Sequence, residues 1–369
     1  MKPLSFFNYG RNNKGKVIRS MKAILVAVAF LIVLYAFIET IYKIQYDKWV
    51  SPFEYSTTIT FNEGNYDKEK ILDEIRNNEN LKEIVEVNKL HGIRYSGPGF
   101  LDNAVAIGVK ERDQDKFIKN QNITLEQGVL PKDEQKEIAI NKSIAKNRNL
   151  HLGDMIGSDE NSFDTLPGAY KIVGFVEGKG LYSIYSGKEV EKVDTYFLFP
   201  KDGKIDSLNQ DIIPMAKENF IAENLSFAID NFNKSMKALK SADIITVLAL
   251  IVMIITVGTA KYAEFLNRKE EIGTLNSIGY SKQYLMKRAF TEVLIINLIG
   301  LTLGVVVGIG IDYIICKIFW AKIGFGGRLV TKEGVAISIL LAMFTTLFTI
   351  IPINNTILKL DSINIIEGE

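Results

Sequence analysis

The chain has 369 residues, 47% hydrophobic and 24% charged, with a formal net charge of +1. So even a balance gives no argument for a nucleic-acid binder, whose footprint is a basic excess. One cysteine, Cys316, excludes a disulfide framework and a cysteine-built metal site, and two histidines, His91 and His151, leave little for imidazole chemistry.

Residues 1–22 form a basic lead, with Lys2, Arg11, Lys14, Lys16, Arg19 and Lys22 and no acid. Gly10 to Val17 has the spacing of a phosphate-binding loop, but Val17 stands where the Mg²⁺-binding hydroxyl belongs and no buried strand precedes it. The chain therefore carries no nucleotide site of its own. An apolar run then covers 23–44, followed by Tyr46, Asp47, Lys48 and Trp49 rather than by small residues, so an uncleaved anchor is expected and not a signal peptide. Three further apolar runs, 244–260, 290–318 and 334–353, are long enough to cross a bilayer as helices. The basic lead and the cations of 261–289 (Lys261, Arg268, Lys269, Lys282, Lys287, Arg288) place both on the inner side, with the two termini. Residues 45–214 and the loop 319–333 are then outside, and 354–369 is an inner tail.

The outer region reads as α+β. Phe53, Tyr55, Thr57, Ile59 and Phe61 alternate as a strand, Asp67 to Asn77 is a short amphipathic helix, and Leu81–Leu90 and Ala104–Val109 are strands, with a turn at Pro98 to Phe100. A second, β-rich unit spans about 125–199. Its strands are Glu137–Ile140, Tyr170–Val176 and Thr195–Phe199; Asn141 caps a helix over Lys142–Asn147, and Gly153-Asp154 turns into a further strand. Gly178, Gly180 and Gly187 mark a loop. His151 and His91 are surface histidines.

Over 215–243 the pattern turns helical. Leu225, Ile229, Phe232, Met236 and Leu239 recur at heptad-like steps, and the run enters the second span without a breaker. Together with the continuation of the first span past Glu39, this predicts a two-helix stalk under the outer domain. In the third span Gly300, Gly304 and Gly308 are four apart, a packing face for another helix. Asn297 and Asp312 are polar within it, Asp312 near the outer end where solvation is expected, and no polar stripe runs through the spans.

The segment 261–289, too polar for lipid, is the expected docking element. A charged turn with Glu270 and Glu271 and an apolar anchor of Ile272, Leu275 and Ile278 suits a protein partner. Arg268-Lys269-Glu270-Glu271-Ile272-Gly273-Thr274-Leu275 followed by Ile278-Gly279-Tyr280-Ser281 resembles the inner loop of the FtsX/MacB-like permease subunits of ABC transporters (type VII architecture). The outer segment Gly128 to Gly153, with EIAINKSIAKNRNLHLGD, the glycine-rich third span, and Ile351-Pro352 with Leu360-Asp361-Ser362-Ile363 are similar to that family as well, although the family more often has proline after that aspartate. The resemblance implies an α-helical membrane protein of four transmembrane helices in a 1+3 arrangement, with an inserted extracytoplasmic α+β domain like the MacB core. It also implies a multi-pass protein of the bacterial cell membrane that is not an enzyme. Catalytic, metal and cofactor sites are absent from this chain, ATP and Mg²⁺ belonging to a separate cytoplasmic ABC ATPase. Arg268, Glu270, Glu271, Ile272, Leu275, Ile278, Gly279 and Ser281 form the coupling element. Partners implied are that ATPase, a second or homologous permease copy, the lipid bilayer, and an extracytoplasmic adaptor or hydrolase. The implied function is export or extraction of a peptide, lipid or amphiphile; the alternative is regulation of an extracytoplasmic cell-wall hydrolase by the same mechanics.

Overall fold

The computed structural model describes residues 14–359 apart from 63, 65–66, 88–89, 187–194 and 217–218, with the backbone alone for 16, 19, 20 and 237–245. Most of the basic lead, Gly10 to Asn13 of the phosphate-loop-like stretch, Gly187, the side chain of Leu239 and the terminal Leu360 to Ile363 lie outside the described residues. The chain divides into two compact units, 1–40 with 238–317 and 327–369, and 41–237 with 318–326.

The first unit is helical. Among the described residues four helices are long and apolar enough to cross a membrane. They are α1 (Lys14–Trp49), α7 (Lys237–Leu266), α9 (Lys282–Ile315, continued by a π-turn through Trp320) and α10 (Lys332–Leu358). The glycine face of α9 meets α1: a Cβ on Gly300 would lie 1.9 Å from Ile24, one on Gly304 2.7 Å from Val28, and one on Gly308 2.8 Å from Ile32. Only a bare backbone fits so close a crossing, which gains dispersion contacts where lipid supplies no hydrophobic drive. Ile24, Val28, Leu31 and Ile32 are fully buried there and extend onto Leu341 and Ala342 of α10.

The second unit has two sheets. Four strands, β1 (Thr57–Phe61), β2 (Leu81–Val87), β10 (Thr195–Pro200) and β11 (Phe220–Glu223), pair in the order β11-β1-β10-β2. The other sheet runs β3 (His91–Gly97), β4 (Phe100–Gly108), β9 (Ser183–Ser186), β6 (Glu137–Asn141), β8 (Tyr170–Glu177), β5 (Thr124–Gly128), with β7 (Met155–Ile156) added to β8. The alternation of β10 decides the layering. Tyr196 and Leu198 face the helices α2 (Lys68–Arg76) and α5 (Ile205–Ile212), while Phe197 and Phe199 face Phe117 of α3 (Glu111–Asn120) and Ile107, Val176 and Ile184 of the second sheet.

Several expectations are revised here. Residues 51–54 form a 3₁₀ turn set by Pro52, so β1 begins at Thr57 and not near Phe53. No sheet boundary falls at 125: β3 and β4, before it, belong to the second sheet, and β10, within 125–199, belongs to the first. Asn141 caps α4 (Lys142–Asn147) by accepting from the Ser143 N–H, as its position predicts.

Candidate functional site

The corner between α7 and α9 is built by local sequence. After α7, helix α8 (Lys269–Ser277) carries Glu270 and Glu271 in its first turn, where carboxylates oppose the positive helix end. Its end is a Schellman motif: the Tyr280 N–H donates to Leu275 O at 3.2 Å and the Gly279 N–H to Asn276 O at 3.1 Å. Gly279 sits at φ +103°, the left-handed conformation this closure needs. Two residues on, the Ser281 hydroxyl accepts from the Tyr284 N–H and starts α9. The Gly-x-Ser spacing is thus one helix stop and one helix start with a single residue between.

One face of α8 is welded inward. Arg268, 9% exposed, donates from Nη1 to Glu292 Oε1 on α9 at 2.6 Å and from Nε to Glu271 Oε2 at 3.1 Å. Arg288 reaches the same Glu271 at 3.8 Å. Ile272 is buried with Phe265, Leu285, Ala289 and Ile353, and Leu275 packs against that group. Lys282 Nζ caps the end of α10 by donating to Leu358 O at 2.8 Å. The opposite face is free: Glu270, Thr274 and Ile278, spaced four apart, are exposed in a row, and Ile278 is 71% exposed. Gly279 and Ser281 are exposed beside it. The expected docking set is therefore split. Arg268, Ile272 and Leu275 are joint residues that hold α8 to α9, with Glu271 bridging the two arginines at the edge, and Ile278 alone is the apolar projection.

Sequence reading missed Glu292 and Arg288, the partners that make this joint. Their only signal is an acid in an apolar run, four residues after an arginine. A cleft of ≈ 40 Å³ beside the joint is lined by Lys261, Glu264, Arg268, Arg288 and Glu292 and has room for waters.

The spans are also less apolar inside than expected. Asn297, 1% exposed, accepts from Lys261 Nζ and donates to Thr346 Oγ1 at 2.7 Å, tying α7, α9 and α10 together. Asp312 is 3% exposed and its Oδ2 has no hydrogen-bond partner among the described residues, so it is buried rather than solvated.

The stalk pattern is corrected as well. α6 (Leu225–Ser235) stops at Met236, whose N–H donates to Phe232 O, and α7 starts anew at Lys237. Ala228 and Phe232 are buried, Leu225 and Met236 are half-buried, and Ile229 is 37% exposed, so the inner face follows 225, 228 and 232. Phe232 lies edge-on to Tyr42 and Tyr46 of α1, at 5.0 and 5.6 Å between centroids.

Residues 244–360 match the family model described as the FtsX-like permease C-terminal domain. Among solved structures, the periplasmic region of MacB from Actinobacillus actinomycetemcomitans is 12% identical, covers 51% of this chain and 94% of its own, and gives a TM-score of 0.31. The extracellular domain of the ABC-type transporter YknZ from Gram-positive bacteria is 12% identical over 46% of this chain and 100% of its own, at a TM-score of 0.29. A domain of a permease protein from Porphyromonas gingivalis is 12% identical over 44% and 81%, at 0.26. A comparison with curated proteins finds no match.

Proposed function

We propose that this chain, whose residues 244–360 are similar to FtsX-like permeases, is the permease subunit of an ABC transporter. It takes ATP-driven motion from a separate cytoplasmic ATPase and delivers it to the domain of 41–237, outside the membrane, to export or extract an amphiphile, lipid or peptide. The observation that carries this reading is the two-faced α8. An exposed row of Glu270, Thr274 and Ile278 offers a small docking surface, and the opposite face is fixed to α9 through the buried Arg268–Glu292 pair. A push on the first face is a displacement of a spanning helix, because a short rigid helix with one face held in a packed cluster does not deform on its own. No chemical step is required of this chain.

The test is co-purification from gently solubilised membranes. The wild-type chain is expected to retain an ATPase, and the pair Glu270→Lys with Ile278→Asp to lose it while still inserting. An unchanged ATPase yield from that double variant overturns the docking assignment. A wall hydrolase recovered with the ATPase moves the reading to the regulatory function.

A further inference from the structure

Where α1 leaves the apolar stretch, a cleft of ≈ 320 Å³ opens among Lys43, Ile44, Asp47, Asn141, Leu181 and Phe325. Its charge is only partly spent internally, Asp47 standing within electrostatic reach of Lys179 without an ion pair to it. At the rim Lys179 is taken by Glu54 at 2.8 Å and Glu177 by Lys142 at 2.9 Å. Lys43 and Asp47, four apart on α1, would ordinarily approach each other. Here they do not pair: Lys43 makes no ion pair among the described residues, and Asp47 accepts only a 3.4 Å bond from Ser51. Asn141, 3% exposed, spends its side-chain oxygen on the Ser143 N–H, and its amide nitrogen has no acceptor among the described residues. The floor is apolar, with Ile44, Leu181 and Phe325 all under a tenth exposed. The cleft thus offers two donors, one of them cationic, one carboxylate and a greasy base.

Its depth is set by α1 itself. The helix rises about 32 Å from Lys22 to Lys43 at roughly 1.5 Å per residue, with Glu39 one turn before Lys43. That is close to a hydrocarbon core of about 30 Å, so Glu39 and Lys43 mark the headgroup end of the helix. One wall comes from the loop between α9 and α10. Asn147 donates to Ile323 O at 2.9 Å, a Cβ on Gly324 would lie 2.1 Å from Ser143 O, and Phe325 packs on Tyr95 at 5.7 Å.

We propose that this cleft binds the head of a zwitterionic amphiphile, its phosphate on Lys43 and the Asn141 amide and its ammonium against Asp47. Phosphatidylethanolamine and an aminoacylated phosphatidylglycerol share this chemistry. A role as cargo site rests on the permease reading; the binding itself does not.

The test uses the full chain in neutral detergent, without ATPase or nucleotide, with native mass spectrometry as the readout. The probes are dihexanoyl phosphatidylethanolamine, dihexanoyl alanyl-phosphatidylglycerol, dihexanoyl phosphatidylglycerol and triglycine. Both zwitterionic lipids are expected to bind about tenfold more tightly than phosphatidylglycerol, the tighter of the two identifying the source. Lys43→Ala is expected to weaken both about tenfold, and Asp47→Asn to erase the preference over phosphatidylglycerol. Asn141→Asp keeps the helix cap and is expected to weaken phosphate binding, which separates a ligand role from a folding role. Equal affinity for phosphatidylglycerol in the wild type, affinities unchanged in all three variants, or displacement by triglycine overturns the proposal. ATPase co-purification measured on the same preparations distinguishes the two readings: its absence with lipid binding intact removes the permease assignment alone.

Discussion

At the scale of single residues, the corner turns on Arg268, shared between Glu292 at 2.6 Å and the more exposed Glu271 at 3.1 Å. Breaking a buried pair outright costs about 3–5 kcal/mol, and losing Glu292 leaves Arg268 with the weaker of its two carboxylates. Glu292→Ala is therefore expected to lower the melting temperature of the full chain in detergent well below that of Glu270→Ala, whose side chain is exposed. Equal melting temperatures would show that Arg268 finds another partner. In the second unit, burial pushes the Asp102 carboxyl up, but the Lys48 ammonium at 2.6 Å, the Asn103 N–H and Gln45 together hold it below the usual carboxylate value. A carboxylate with a depressed folded pKa stabilises above its unfolded pKa, about 4, and loses that contribution as pH falls through the folded value. Thermal melts of this unit should therefore drop in acid below about pH 4, and Asp102→Asn should start lower at neutral pH and show a shallower acid limb. An acid limb as steep as the wild type's would place its origin elsewhere. Residue types were legible in the sequence at this scale, and partners were not. Glu270, Ile278, Gly279 and Ser281 stand out as a charged turn, but that Arg268 and Ile272 point inward depends on helical phase against α9, which a segment nine residues long does not reveal.

At the scale of elements, local signals read best. The four long helices, the Asn141 cap and the strands of 137–141 and 170–177 follow from apolar length, capping chemistry and alternation. Sheet membership did not, because β10 pairs with β1 and β2 over more than a hundred residues of chain, and no local pattern encodes a distant neighbour. β3 was missed for a different reason: HGIRYSG opens and closes on glycine-bearing pairs, a composition that reads as turn. The heptad-like stripe failed at Ile229 because Ala228, too small to be counted, carries the buried position. The α1–α9 seam offers a direct check. Gly304→Val places a side chain against Val28 and the Leu25 carbonyl, both within 2.8 Å of its Cβ, and overpacking of this kind costs about 1–3 kcal/mol. Gly310→Val, with nothing within 4 Å of its Cβ, should melt like wild type. Similar losses for both would deny the seam its close fit.

At the scale of the whole molecule, the permease reading assigns docking and transmission to opposite faces of α8, so mutation should separate them. Glu292→Gln leaves Glu270 and Ile278 untouched and is expected to keep ATPase co-purification while reducing the permease-dependent change in ATP turnover in reconstituted vesicles. Co-purification lost together with turnover would mean that the two faces are not independent. The glycine seam has a further consequence, for assembly. Its halves are far apart in the chain: Ile24, Val28 and Ile32 emerge from the ribosome long before Gly300, Gly304 and Gly308. At roughly 5–20 residues per second the interval is on the order of tens of seconds. Throughout it the first helix stands in the bilayer with its ridge of branched side chains facing lipid or a helper protein. The domain of 41–237 emerges before the other long apolar helices of the described residues, while its α1 tether is still unpartnered. Biogenesis of this protein is therefore a matter of waiting, and a stall anywhere between the first and third spans leaves an anchored domain without the membrane bundle that the permease reading requires.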